Sequence, residues 1–365
     1  MIKVNLSNEI LKYILEIEQN RYTLSSLVIP KPLINRMRKN SKKKSAYSST
    51  KIEGNPLTEA QANNAIDADD RKHFLKPEQE VRNYYLALTY LEKQAEKKIK
   101  FSEKLILNVQ KRIMKGSSKE KIGFRSPMPP GVLFAVYDTH TGKADYIPPE
   151  ASDISRLIHE LCEYVNTTDD HPLIVAAIVH YQLVTIHPFE DGNGRTARLL
   201  SGYILDINGY GFSGIGSLDE YFAYDIDEYY ASLQMELPAL YYSGRNNPPH
   251  FEIWICYYLR MVLLYSRSVK ELAQNSTVDF IKPPLSHLNT KEKELLRFLI
   301  EHYQREFTPM EVSREFHVTN RTIINRLSSL VQNGFVIPHL VNQRIRSYEL
   351  SDFTNENAEI IKGEL

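Results

Sequence analysis

The 365-residue sequence has no surplus of either charge: 45 Lys and Arg balance 45 Asp and Glu. That excludes bulk electrostatic capture of nucleic acid or of an anionic membrane and leaves only local patches to consider. Cysteine is scarce. The two present, Cys162 and Cys256, lie far apart within apolar helical patterns, which excludes a disulfide framework and reads as reduced core thiols in a cytoplasmic protein. No apolar run reaches the ~18–20 residues a membrane span requires, and the best candidate, Leu173 to Ile186, is interrupted by His180 and Gln182. The opening residues, MIKVNLSNEILKYILEIEQ, set acids among the apolar positions and lack the apolar core of a signal peptide. There is no internal repeat. What is present, 42% apolar and 25% charged residues, is an ordinary globular composition, long enough for two or three domains at roughly 100–200 residues each.

Most of the chain reads at helical period. Ile10, Leu11, Ile14, Leu15 and Ile17 mark an early helix. Arg36 to Lys44 places six basic residues in nine, the pattern of a solvated loop or helix face. A helix candidate follows through SAYSSTKIEGNPLTEAQ, and Thr58 with Gln61 forms a capping-box pattern for the next helix. Another helix runs from about Pro77. Phe124 to Pro149 differs: Val132–Tyr137, a turn near Asp138–Gly142, and Ala144–Ile147 predict a β-hairpin. Helices are then expected at Ile154–Val165, Pro172–Ile186 and Arg195 to about Ile207, the last closed by Asn208-Gly209. They continue to about Ala273. Asn275 to His287, with its Pro283-Pro284 pair, reads as a linker. Beyond it, helices at Lys291–Tyr303, from Pro309, and at Asn320–Gln332 precede strands at Phe335–Leu340 and Arg344–Leu350, the order of a winged helix. The expected division is therefore 1–100, 101–273, a linker at 274–287, a winged-helix domain at 288–352 and a tail at 353–365.

The stretch from His187 to Arg198, HPFEDGNGRTAR, concentrates chemistry between two apolar helices. Gly192, Asn193 and Gly194 stand immediately before a helix N-terminus, where successive amides and the helix dipole receive an anion. Arg195 and Arg198 are neighbours on the following turn and suit a polyphosphate. Asp191 is a hard carboxylate beside that nest, the kind of ligand magnesium takes next to phosphates. His187 can accept a proton from an incoming hydroxyl near neutral pH. Each residue alone has an ordinary structural explanation; their convergence within twelve residues does not.

This segment resembles the Fic signature, HPFx(D/E)GNGRxxR, at every defining position, with Ala197 where glycine is common. PLIVAAIVHYQLVTI before it, RLLSGYIL after it and DEYYASL downstream are similar to the family's flanks, so the resemblance spans roughly Ser45 to Leu263. It implies a mainly α fold with a hairpin flap at about Val132–Ile147. It also implies transfer of AMP from ATP to a Ser, Thr or Tyr hydroxyl of a target protein, or of the protein itself. By that resemblance His187 is the base and Asp191 the Mg2+ ligand. Gly192, Asn193 and Gly194 form the nest, Arg195 and Arg198 bind phosphate, Phe189 anchors the loop, and Tyr229 and Tyr230 line the adenine pocket.

Ser48 to Asn55 resembles the family's inhibitory motif, (S/T)xxxE(G/N). Ser49 and Glu53 are four apart and share a helical face; in the family this glutamate pairs with the second motif arginine, here Arg198. The same residues also fit a hydrolase that removes AMP from a modified protein. A third class, a nucleotide-sensing regulator that binds DNA, rests on the C-terminal segment. Residues 287–350 hold nine basic and seven acidic residues, a weak surplus, with Arg321 and Arg326 on the expected recognition helix and Arg344 and Arg346 on the wing. Docking of protein, including a second copy as a homodimer, competes with DNA there.

Overall fold

A computed structural model describes residues 2–27, 29–69, 73–116, 122–137, 144–238, 248–303, 306–341 and 344–365. Its helices are α1 (Asn8–Ser26), α2 (Lys31–Ile52), α3 (Glu59–Asp67), α4 (Lys76–Glu96), α5 (Glu103–Ile113), α6 (Ile154–Thr167), α7 (Pro172–Ile186), α8 (Asn193–Ile207), α9 (Leu218–Phe222), α10 (Ile226–Gln234) and α11 (Phe251–Ser286). The C-terminal part adds α12 (Thr290–His302), α13 (Pro309–Glu315), α14 (Asn320–Gln332), α15 (Asp352–Glu356) and α16 (Ala358–Glu364). Two antiparallel pairs complete it: β1 (Val136–Tyr137) with β2 (Ala144–Tyr146), and β3 (Val336–Val341) with β4 (Arg344–Leu350). The chain is mainly helical, as expected, and divides into two compact units, Met1–Thr23 with Arg36–Val269 and Leu24–Asn35 with Lys270–Leu365.

The first unit is built around α7. Apolar on every side, this helix can only be central, and nearly all of its side chains are buried. Helix α8 packs along it, and α4 and α5 pack against α8. The basic run 36–44 lies on α2 as a charged face, Lys42 reaching Glu92 at 2.8 Å and Lys44 reaching Glu220 at 3.2 Å. Helix α2 does not continue through Gln61. It stops at Ile52 because Gly54 takes φ +80° and Asn55 precedes a proline, which disfavours helical backbone. Thr58 then caps α3, its hydroxyl accepting from the Gln61 amide while Gln61 reaches back.

The hairpin is shorter than Val132–Tyr137 and Ala144–Ile147 would make it. With Val136 opposite Tyr146, the partners due to face Phe134 and Leu133 are Pro148 and Pro149, which have no N–H to give. The expected turn at 138–142 lies outside the described residues.

The segment read as a linker is helical: α11 runs on to Ser286. No glycine interrupts Phe251 to Ser286, and the proline pair falls only near the helix end. The segment read as a tail, 353–365, is also folded. Ser351 caps α15 by accepting from the Thr354 amide, and Ile361, 0% exposed, packs with Leu295, Leu299, Ile323, Leu327 and Phe335 in the core of the second unit. In that unit Phe307 also bridges Tyr348 of β4. Arg321, Arg344 and Arg346 are exposed, whereas Arg326 folds inward over the Phe316 ring.

Candidate active site

Helix α7 ends at Ile186, and the next residue, His187, takes left-handed backbone (φ 49°, ψ 58°) while its amide still donates to the Leu183 carbonyl at 3.2 Å. Left-handed geometry is uncommon for a residue with a side chain, so something must hold it. Arg125, 5% exposed, donates from Nε to the His187 carbonyl at 2.9 Å, and its own amide donates to the Pro188 carbonyl at 2.9 Å. The same guanidinium donates to Pro149 at the base of the hairpin and lies over the Phe134 ring. Phe134 in turn stands 5.9 Å from the His187 ring. Burial pushes the His187 imidazole down to about 4, with Arg125 adding to the fall and a hydrogen bond to the Val184 backbone opposing it. At neutral pH the ring is therefore uncharged and able to take a proton.

The loop after His187 is tied to the start of α8. Asn193 Oδ1 accepts from the Phe189 amide at 3.0 Å and Asn193 Nδ2 donates to the Phe189 carbonyl at 2.9 Å. Phe189, 0% exposed, stacks on Phe124 at 5.8 Å. Gly192 precedes α8 at φ +83°, a conformation that glycine adopts without strain. The first amides of α8 have no intrahelical acceptor. They open beside Asp191, whose Oδ1 accepts from Arg195 Nη2 at 2.8 Å. Arg195 is almost fully buried, and its Nε is a donor without a hydrogen-bond partner among the described residues.

Arg198 is the most enclosed cation of the site, its side chain 1% exposed. Nε donates to Ser49 Oγ at 2.7 Å, and Nη2 donates to the Ser49 carbonyl at 3.0 Å and to Glu53 Oε1 at 2.7 Å. The residues singled out at the end of α2 and on α8 thus meet across 145 positions of sequence. Gly194 lies under the same carboxylate, since a Cβ built there would stand 2.4 Å from Glu53 Oε1. Tyr229, 1% exposed, belongs to a buried aromatic cluster with His180, Phe222 and Trp254. Its hydroxyl lies 2.9 Å from His180 Nε2 and 3.4 Å from Arg198 Nη1. Tyr230 is 47% exposed, and its ring lies 5.1 Å from that of Tyr229.

Three contributors were not singled out from sequence. Arg125 is one. Asp219 is another: its Oδ1 stands 3.7 Å from Arg198 Nε and accepts from the Tyr84 hydroxyl at 3.0 Å. Burial pushes the Asp219 carboxyl up, and Arg198 pulls it down. The third, His180, is buried in the core and driven well below the ordinary histidine range by burial. The visible signals were slight: an arginine beside a proline-rich segment, an acid in SLDEYF, and a histidine inside an apolar helix.

Asp191, 34% exposed, supplies one hard carboxylate at the mouth of the nest. Among the described residues no three His, Cys, Asp or Glu converge on a cage of their own. A single carboxylate beside an anion nest fits Mg2+, which commonly takes one or two carboxylates with the rest of its shell from phosphate and water.

A family model described as Fic/DOC family matches residues 100–205. The protein adenylyltransferase Fic of Drosophila grimshawi is 30% identical over 203 residues, 54% of this chain and 40% of that protein. The enzyme of the same name from Drosophila erecta is 32% identical over 200 residues, 53% of this chain and 38% of that one. The chain thus spans about two fifths of the length of the curated relatives it matches. Among solved structures, a Fic family protein from Desulfovibrio desulfuricans aligns with a TM-score of 0.62 at 20% identity, covering 96% of this chain and 98% of its own. A Fic-domain signaling protein from Bacteroides thetaiotaomicron aligns at 0.60 and 22% identity, covering 71% and 97%. At those identities the structures establish the shared fold.

Proposed function

We propose that this chain, which carries a Fic domain across residues 100–205, transfers AMP from ATP to a hydroxyl of a target protein and is held in check by Glu53. The observation that carries the reading is the meeting of a neutral His187, the N-terminus of α8 and two buried arginines, one of them occupied by Glu53. The curated relatives bear the name protein adenylyltransferase.

In this reading the oxygen of the target hydroxyl attacks the α-phosphorus of ATP and its proton passes to the His187 imidazole. The bond from that phosphorus to the oxygen bridging the α- and β-phosphates breaks, and pyrophosphate leaves. The negative charge growing on the leaving group meets the amides at Gly192 to Gly194 and the guanidinium groups of Arg195 and Arg198, all fixed in place before reaction. Asp191 would hold Mg2+, which would neutralise charge on the phosphates. Glu53 occupies the Nη2 edge of Arg198, so the γ-phosphate and the carboxylate compete for one donor. Tyr137, 60% exposed on β1, offers an extended target segment a strand edge to register against.

Incubation with labelled ATP and Mg2+ tests the reading. Glu53→Gly should label itself or a lysate protein at least about tenfold more than the unmodified chain, the ratio that ~1.4 kcal/mol of lost competition supplies. His187→Ala in that background should lower labelling by about 10²–10⁴-fold. Equal labelling with and without Glu53 removes the brake, and release of AMP from a modified target without new labelling reverses the direction of the reaction. The exposed Arg321, Arg344 and Arg346 favour a second, regulatory reading of the C-terminal unit, which a salt-dependent gel shift with duplex DNA tests.

A further inference from the structure

Arg198 faces two carboxylates of different standing. Glu53 is one third exposed and follows directly on the C-terminus of the 22-residue α2. The negative end of a helix dipole disfavours an anion there. Asp219 is held the opposite way. Its side chain is 11% exposed, and its Oδ1 accepts from the buried Tyr84 hydroxyl at 3.0 Å. The two acids meet different edges of the guanidinium: Asp219 stands 3.7 Å from Nε, and Glu53 stands 2.7 Å from Nη2. A buried guanidinium stripped of its last counter-ion is strongly destabilising. If Glu53 were its only partner, letting go would strand a cation in the core.

We infer that Asp219 is the standing counter-ion of Arg198, a positioning residue that keeps the guanidinium paired on its Nε edge while Glu53 and an incoming phosphate exchange on the Nη2 edge. This deepens the reading of Glu53 as a releasable partner and rests on it. It assigns to a residue outside both the 187–198 loop and the 48–55 segment the task of making release of Glu53 tolerable.

A double-mutant cycle on the full chain, read by thermal unfolding, tests it independently of AMP transfer. Glu53→Gln and Asp219→Asn each leave Arg198 one carboxylate, so each alone should lower Tm modestly. Together they should lower it by at least about 4 °C more than the sum of the two, because the cation is then unpaired. Arg198→Met, which removes the charge, should abolish that excess. Tyr84→Phe, which keeps the charge of Asp219 and loses one hydrogen bond, should combine additively with Glu53→Gln. Should the double variant fail to fold, recovery of folding by Arg198→Met supports the assignment and failure to recover overturns it. Additive losses from Glu53→Gln and Asp219→Asn also overturn it, leaving Asp219 a hydrogen-bonded core residue only. Absent labelling in the ATP experiment would sink the transferase reading and leave this cycle to stand or fall separately.

Discussion

His187 keeps its left-handed backbone because its carbonyl and its neighbour's are both claimed by Arg125. Its ring, depressed to about 4 by burial, sets a pH signature. An unfolded histidine titrates near 6.5, so between about 6.5 and 4 the unfolded chain binds the extra proton. The stability due to this neutral ring is whole above pH 6.5 and declines as pH falls toward 4. Urea midpoints measured from pH 7 to 4 should therefore fall less steeply for His187→Ala than for the unmodified chain. Asn193 makes a second prediction. Its side chain bonds both backbone groups of Phe189, so Asn193→Ala leaves a buried amide and carbonyl unmatched and should cost about 2–5 kcal/mol in urea unfolding. The 187–198 loop stood out in the sequence because its residues are contiguous. The clamp did not, since a side chain returning to the backbone four residues earlier appears only once the loop is closed. Arg125 and Asp219 were hidden by sequence distance, 62 and 21 residues from His187 and Arg198 respectively.

At the level of the element, α7 and α3 were readable for different reasons. Apolar side chains all round, Pro172 at the start and His187 at the stop bound α7 as expected from sequence. The reciprocal Thr58–Gln61 bonds define the start of α3. Thr58→Ala should lower the local stability of α3 by about 1 kcal/mol, read as faster hydrogen exchange of the amides from 61 to 66 with little change in α7. The stop of α2 at Ile52 was hidden because Glu53, Gly54 and Asn55 serve at once as a motif and as a helix end. Helix α11 outran its expected end because mixed polarity and a proline pair look, in sequence, like a linker, while the prolines fall only near the helix end.

Over the whole chain, the two compact units do not share the edges that the pattern of elements suggested. The second unit draws in 24–35 as well as 270–365, a pairing no local pattern announces. Its own core is compact, and Leu327 is 0% exposed within it. Leu327→Ala should destabilise that unit by about 2–5 kcal/mol, seen as lost hydrogen-exchange protection in α12 and α14. In the first unit, one cation joins distant stretches: Arg125 grips the end of α7, the Pro149 carbonyl and the Phe134 ring, while Tyr146 of β2 donates to the Thr185 carbonyl at 2.6 Å. The hairpin and His187 are therefore riveted to the same anchorage. A force on the ribbon therefore reaches the backbone that carries the imidazole along two side chains, Arg125 and Tyr146.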